Sequence, residues 1–323
     1  MNIVVTGGAG FIGSNFIHYV LAKHPEYNII NLDALTYAGN PENLADVARN
    51  SHYGFVQGNI ADAAVVDRLI AKKPDMIINF AAESHVDRSI NGPGEFIATN
   101  IVGTHVLLEA ARKYGVKFLQ ISTDEVYGSI DEGAFKESDG LTPSSVYSAS
   151  KASADLLVMA YHTTYGLDTL ITRSSNNFGP YQYPEKLIPL FTTHLIEGKK
   201  VPLYGTGKNI RDWTYVWDNC AAIDLVVHKG KSGEIYNIAA NNERENTQIA
   251  KALLDILGKD EQSIEHVTDR PGHDKRYGVD ASKIRALGWK PRYSFMEALK
   301  ETVAWYQQNP TWWTNVQVKT KDL

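Results

Sequence analysis

Only one cysteine, Cys220, stands in 323 residues, which excludes a disulfide framework and points to a reducing, cytoplasmic setting. The ten histidines are scattered, none grouped with the cysteine at metal-ligand spacing, so no metal is expected. No apolar run is long enough to cross a bilayer, and the N-terminus opens directly on a β-type run without a basic start or cleavage site. Neither a membrane span nor a signal peptide is expected. Lys and Arg number 32 against 37 Asp and Glu, a net charge of −5. That balance argues against nucleic acid as a partner, and any anionic ligand needs a local basic cluster. Internal repeats and low-complexity tracts are absent too.

What is present is a regular alternation. Short β-branched runs at 2–6, 28–32, 53–57, 76–80, 117–122 and 169–173 alternate with helical segments at 11–23, 63–72, 95–114 and 146–165. The pattern predicts an α/β fold, a Rossmann-type doubly wound parallel sheet with helices on both faces. After residue 176 the texture changes: Pro180, Pro184, Pro189 and Pro202 cut the chain into short pieces. The division expected is a dinucleotide-binding domain over 1–175 and a mainly ligand-binding lobe over 176–323. Parts of 210–240, including a strand at 234–238, are expected to complete the sheet.

Thr6-Gly7-Gly8-Ala9-Gly10-Phe11-Ile12-Gly13 follows the first run and opens the first helix. Glycines at Gly7, Gly10 and Gly13 let the backbone turn sharply and approach a pyrophosphate seated on the helix N-terminus. Asp33 ends the next run, twenty residues beyond Gly13. A carboxylate there accepts hydrogen bonds from an unphosphorylated ribose and repels a 2′-phosphate, so NAD is expected rather than NADP.

Tyr147 and Lys151 are four apart and share one helix face. A nearby ammonium and a positive nicotinamide would lower the phenol's pKa and make it a base for a hydroxyl proton. Tyr19 and Lys23 repeat the spacing and read as surface; context separates the two pairs. Tyr147 follows Ser122-Thr123-Asp124-Glu125, where a switch-point crevice is expected. Neighbours on a regular strand face opposite ways, so for both acids to address one substrate the strand must end by Thr123 and turn. Without their neighbours, the acids read equally as a solvated strand end or a helix cap.

Several stretches carry a resemblance that runs nearly end to end: Asp33-Ala-Leu-Thr-Tyr-Ala-Gly-Asn40, Ala81-Ala-Glu-Ser-His-Val-Asp-Arg-Ser89, Thr99-Asn-Ile-Val-Gly-Thr104, the 122–128 and 176–189 segments, Asn209-Ile-Arg-Asp-Trp213 and 269–277. The chain resembles the extended short-chain dehydrogenases/reductases, and within them the dTDP-glucose 4,6-dehydratases. The similar 4-epimerases lack the Thr-Asp-Glu element. The resemblance implies a homodimeric lyase in which Tyr147, with Lys151 and Thr123, oxidises C4 of a nucleotide-linked glucose. Glu125 would take the C5 proton and Asp124 protonate the departing C6 oxygen.

The resemblance also implies an NAD site of Gly7, Gly10, Phe11, Ile12, Gly13, Asp33, Leu35, Thr36, Asn59, Ile60, Ala81, Ala82, Thr99, Tyr147, Lys151 and Asn177. The nucleotide-sugar side would comprise Ser84, His85, Thr123, Asn176, Lys186, Leu187, Pro202, Tyr204, Arg211, Asn246, Arg270, His273 and Tyr277. Arg211 and Arg270 are the planar donors suited to a diphosphate. His85 reads equally as a ligand contact or a structural histidine. Asn59 stands where the family has Asp beside the adenine, and Trp217 replaces an acidic residue without evident purpose. The same chemistry on UDP-glucose or another nucleotide hexose, and 4-epimerisation, remain alternatives at this stage.

Overall fold

Strand side chains divide between two hydrophobic clusters. Ile3, Val5, Met76, Ile78 and Leu119 enter one, whereas Val4, Ile77 and Phe118 enter the other. Successive residues of a strand face opposite ways, so a run apolar at every position needs cover on both faces.

The computed structural model describes residues 1–269 and 274–321. Its strands in chain order are β1 (Asn2–Thr6), β2 (Asn28–Asp33), β3 (Tyr53–Gln57), β4 (Met76–Asn79), β5 (Lys117–Thr123), β6 (Thr169–Ser174), β7 (Asn176–Phe178), β8 (Val201–Tyr204), β9 (Ile210–Tyr215), β10 (Ile235–Ile238), β11 (Glu243–Glu245) and β12 (Ile264–Val267). Seven of them form a parallel sheet in the order β10-β6-β5-β4-β1-β2-β3. The order reverses between β1 and β4, and a crevice opens beyond the carboxyl ends of strands at such a switch point. Helices Phe11–Lys23 and Val216–Lys229 feed one cluster; Ala63–Ile70, Thr104–Tyr114 and most of Val146–Tyr165 feed the other. The doubly wound α/β fold read from the alternation is the fold observed. Among the described residues no helix is long and apolar enough to cross a membrane.

The helix expected over 95–114 differs in detail. It begins as Pro93–Phe96, passes through a π-helical stretch at Ile97–Gly103, and becomes α-helical at Thr104–Tyr114. The wider turn accompanies inward-directed bonds of Asn100, whose amide donates to the Glu83 carbonyl (3.0 Å) and the Ser150 hydroxyl (2.8 Å) and accepts from the Glu83 N–H. Insertions of this kind gather near functional sites.

The remaining strands make two small sheets, β7-β9-β11 and the parallel pair β8-β12. The C-terminal helices Phe295–Gln308 and Pro310–Lys321 are held by Tyr183, Tyr306, Trp312, Trp313 and Val316, and the Trp312 indole donates to Asn43 (2.8 Å).

Lys23 is exposed, as read, and Tyr19 is half-buried beside it. The Lys23 ammonium donates to Tyr19 (3.1 Å) and to the buried carboxylate of Asp224 on the facing helix (2.7 Å). Trp217 gains its account here: its indole packs 5.9 Å from the Tyr19 ring between those same helices. His24 meets Asp224 and His228, one turn apart on helix Val216–Lys229, with potential ligand atoms within 4.8 Å of one another. Their capacity is taken up within the protein, since Lys23 and His24 bind the carboxylate and Tyr27 bonds His228 Nε2 (2.8 Å).

Candidate active site

The chain leaves β1 through Gly7 at φ 69°. A Cβ there would lie 2.5 Å from the Ala81 nitrogen, and one on Gly13 would lie 2.4 Å from the Gly7 carbonyl oxygen. Both positions require glycine, by left-handed backbone in the first case and close approach in the second. Gly10 caps helix Phe11–Lys23 without a side-chain bond, which leaves first-turn N–H groups for an anion. Asp33 ends β2, where its two oxygens accept the Ala9 N–H (2.9 Å) and the Leu35 N–H (2.8 Å). Burial pushes this carboxyl up, and the two backbone bonds oppose the shift.

One cleft is lined by Gly7, Gly10, Phe11, Ile12, Gly13, Asp33, Thr36, Asn59, Ile60, Ala81, Ala82, Thr99, Tyr147 and Lys151, with Ser84 and Lys186 on the same wall. Two residues assigned to the cofactor from sequence are not on that wall. Leu35 acts through its N–H on Asp33, and Asn177 donates to the Ser175 carbonyl (2.9 Å). The Asn59 oxygen already accepts the Ala61 N–H (2.8 Å), leaving one lone pair for a ligand. Tyr37, Tyr181, Tyr183 and Glu185 also line the cleft and were missed. Tyr37 donates to Glu185 (3.1 Å), joining the loop after β2 to the segment after β7.

The acids stand where the sequence required a turn. β5 ends at Thr123, and Asp124–Tyr127 follows as a single 3₁₀ turn capped by the Thr123 hydroxyl, which accepts the Glu125 N–H (3.3 Å). The Thr123 hydroxyl also lies 3.3 Å from Asp124 Oδ1 as a donor. Asp124 is only 2% exposed. Burial first, then the Glu125 carboxylate, pushes its pKa well above the ordinary range, while Arg211 pulls the other way.

Helix Val146–Tyr165 starts with a reciprocal Ser145–Ser148 capping box, which fixes Tyr147 and Lys151 in its first two turns. Burial and then Glu125 push the Tyr147 phenol up, and a hydrogen bond from Thr123 acts in the opposite sense. Lys151 lies four residues on, on the same helix face. Its ammonium donates to the Ile121 carbonyl (2.6 Å), and burial lowers its pKa to about 8.

On the other side, Arg211 on β9 is buried and stacks 4.2 Å from the Tyr277 ring. Its guanidinium donates to the carbonyls of Ile210 (2.7 Å), Asp274 (2.9 Å) and Lys275 (3.4 Å), so several of its five N–H groups are already engaged. Charge interactions join Arg211 to Asp124, and Tyr277 to Glu125. The buried oxygens of Asn176 and Asn246 have no hydrogen-bond partner among the described residues. His85 caps helix Val86–Asn91 by accepting the Arg88 N–H (3.3 Å) and lies 3.8 Å from Glu185, a structural engagement. Lys186 donates to the Ser84 carbonyl (2.9 Å), and Leu187 opens helix Leu187–Ile196. Pro202 and Tyr204 lie on β8, in the two-stranded sheet rather than the sheet of Arg211. Arg270 and His273 fall outside the described residues.

This arrangement can seat a dinucleotide and set a phenol, a buried carboxyl whose pKa is pushed up and a second carboxyl at one strand end. Comparison with known proteins agrees. A low-salt glycan biosynthesis protein of Haloferax volcanii is 52% identical over 95% of this chain and 98% of its own length. A dTDP-glucose 4,6-dehydratase of Xanthomonas campestris is 50% identical over 96% of this chain and 94% of its own. The crystal structure of a dTDP-glucose 4,6-dehydratase from Streptomyces venezuelae, solved with NAD bound, superposes with a TM-score of 0.96 at 51% identity, covering 98% and 100% of the two chains. With residues 4–302 matching the family of GDP-mannose 4,6 dehydratase, the chain belongs to that family.

Proposed function

We propose that this protein is an NAD-dependent lyase that converts dTDP-glucose to dTDP-4-keto-6-deoxyglucose. The observation that carries the reading is the Thr123–Glu125 turn: a buried Asp124 held toward its protonated form beside Glu125 and Tyr147. A simple dehydrogenase needs only the tyrosine.

The glycine turn and Asp33 fit the cofactor, since Cβ atoms on Gly7 and Gly13 would fill the cradle and the Asp33 oxygens keep lone pairs for ribose hydroxyls. NAD held by these residues would supply hydride chemistry, an acceptor for the C4 hydride of the sugar and its donor to C6. The protein moves the protons. Tyr147 takes the proton of the 4-hydroxyl, with Thr123 bonded to that oxygen, and Lys151 supplies positive charge near the phenolate. The resulting ketone acidifies C5–H, and Glu125 accepts that proton. Asp124 donates a proton to the C6 hydroxyl, which leaves as water as the C5–C6 double bond forms. C5 is finally reprotonated, and the product is a 4-keto-6-deoxy sugar. Arg211, with Asn246 and Asn176, offers polar groups to the diphosphate and sugar.

Incubation with dTDP-glucose, and in parallel UDP-glucose, followed by mass spectrometry tests the reading. Loss of water from the dTDP sugar is expected; a C4 epimer that keeps its C6 oxygen contradicts it. Replacing Gly7 by Ala is expected to weaken NAD at least tenfold by calorimetry, because the new Cβ meets the Ala81 backbone at 2.5 Å.

We also propose a cytoplasmic homodimer built from the 93–114 and 146–165 helices. Ile97 and Val102 on the first, and Leu156 and Met159 on the second, are large apolar side chains left exposed by 40–54%. Exposed apolar side chains gathered on two helices suit burial against a second copy. The double substitution Leu156→Asp, Met159→Asp is expected to shift sedimentation from dimer to monomer.

A further inference from the structure

Beneath the catalytic helix lies a charge pair that the reaction above does not use. Asp155 and Arg173 have side chains 0% and 1% exposed, with Arg173 Nε donating to Asp155 Oδ2 at 2.8 Å. Arg173 stands near the end of β6, between Thr172 and Ser174, on a strand whose Leu170 and Ile171 enter the two apolar clusters. A buried ion pair is no more stabilising than well-packed apolar side chains of similar volume, so its charges call for a purpose.

Asp155 stands four residues after Lys151 and eight after Tyr147, on one helix face. Its partner Arg173 also donates to the Tyr127 hydroxyl (2.9 Å), which donates to Asn237 on β10 (2.8 Å). Tyr127 closes the 3₁₀ turn that bears Asp124 and Glu125. The network therefore fixes the lysine's helix and the acid turn against the same two strands. Arg173 Nε bonds only Oδ2 of Asp155, so it does not consume the whole carboxylate.

We propose that Asp155, kept ionised by Arg173, is a positioning residue that holds Lys151 as an ammonium and so keeps Tyr147 competent as a base. This rests on the function proposed above. Lys151 has Tyr147 four residues before it and Asp155 four after it on its own helix, its ammonium bonds the Ile121 carbonyl of β5 (2.6 Å), and Asp33, Glu83 and Tyr147 line the same cleft. Burial draws Lys151 down to about 8, and Asp155 is the charge that resists. Burial raises the Asp155 carboxyl as well, while Arg173, Lys151 and Ser122 favour its charged form. Lys151 works protonated, so function is lost as pH rises through its pKa. Without Asp155 that loss comes at lower pH.

The test compares NAD affinity by calorimetry and kcat/KM for dTDP-glucose across pH. Asp155→Asn is expected to move the alkaline limb of both down by about one pH unit, the effect of removing one nearby opposite charge. Asp155→Glu is expected to restore it, which a merely structural role does not require. Should Asp155→Asn fail to fold, the paired replacement Asp155→Leu, Arg173→Met removes both charges without orphaning either and is expected to move the limb the same way by a smaller amount, because the like charge of Arg173 goes too. A folded variant of either kind whose limb stays in the wild-type position, or a wild type without an alkaline limb, overturns the assignment. Wild-type inactivity on dTDP-glucose counts against the proposed function, and the NAD arm still decides the role of Asp155.

Discussion

Replacing Asp124 by Asn is expected to slow water loss by about 10²–10⁴-fold, the usual worth of a general acid, while hydride transfer from C4 survives. Asn keeps the shape of the side chain and its contact with the Thr123 hydroxyl, but has no acidic proton to give. Hydroxide is a poor leaving group, so elimination suffers most. Oxidation of C4 draws on Tyr147 and Thr123 and does not pass through Asp124. Mixed with dTDP-glucose in a stopped-flow cell, the variant is expected to accumulate NADH absorbance and release little 4-keto-6-deoxy sugar. The electrostatics make the assignment specific: burial and the Glu125 charge favour a protonated Asp124 at neutral pH. Equal loss of both steps, with NAD binding intact, removes Asp124 from its role.

Tyr147→Phe is the second large effect, with a different signature. Removing the phenol is expected to cost oxidation and dehydration alike, by about 10²–10⁴-fold, because no later step begins without the C4 ketone. The protein alone holds this phenol far from ionised, since burial and the Glu125 carboxylate both raise its pKa. Its competence therefore depends on positive charge brought alongside it, from the bound nicotinamide and from Lys151. Phe keeps the ring and its edge contact with Phe96, so the fold is expected to survive the change and the thermal midpoint to move little. NADH accumulation at the wild-type rate in Tyr147→Phe contradicts the role of base.

The sequence disclosed the sheet because its strands are short runs rich in Ile, Val and Leu on both faces, alternating with helical segments. It disclosed the end of β5 through a stereochemical necessity: Asp124 and Glu125 could not share a face on a continuing strand. It did not disclose the π-helical stretch, because Asn100 acts through bonds to Glu83 and Ser150 that are remote in sequence. Tyr181 and Tyr183 join the cleft through a segment far along the chain from the glycine turn, with no local periodicity to mark them. Trp217 looked like an unexplained departure and proves to pack between two helices that meet 200 residues apart. Asp155 is the instructive case. Its place eight residues after Tyr147 was legible, but its significance depends on Arg173, which arrives from the next strand and carries no motif.

The central claim is that one hydride makes a closed journey within a single sugar. Glucose carrying deuterium at C4 of its dTDP ester, incubated with the protein and analysed by mass spectrometry and proton NMR, tests it directly. The account predicts that the label appears in the C6 methyl group of the 4-keto product, with no lasting build-up of NADH. Deuterium left in free cofactor, or a product with the label back at C4 and the C6 oxygen retained, contradicts it.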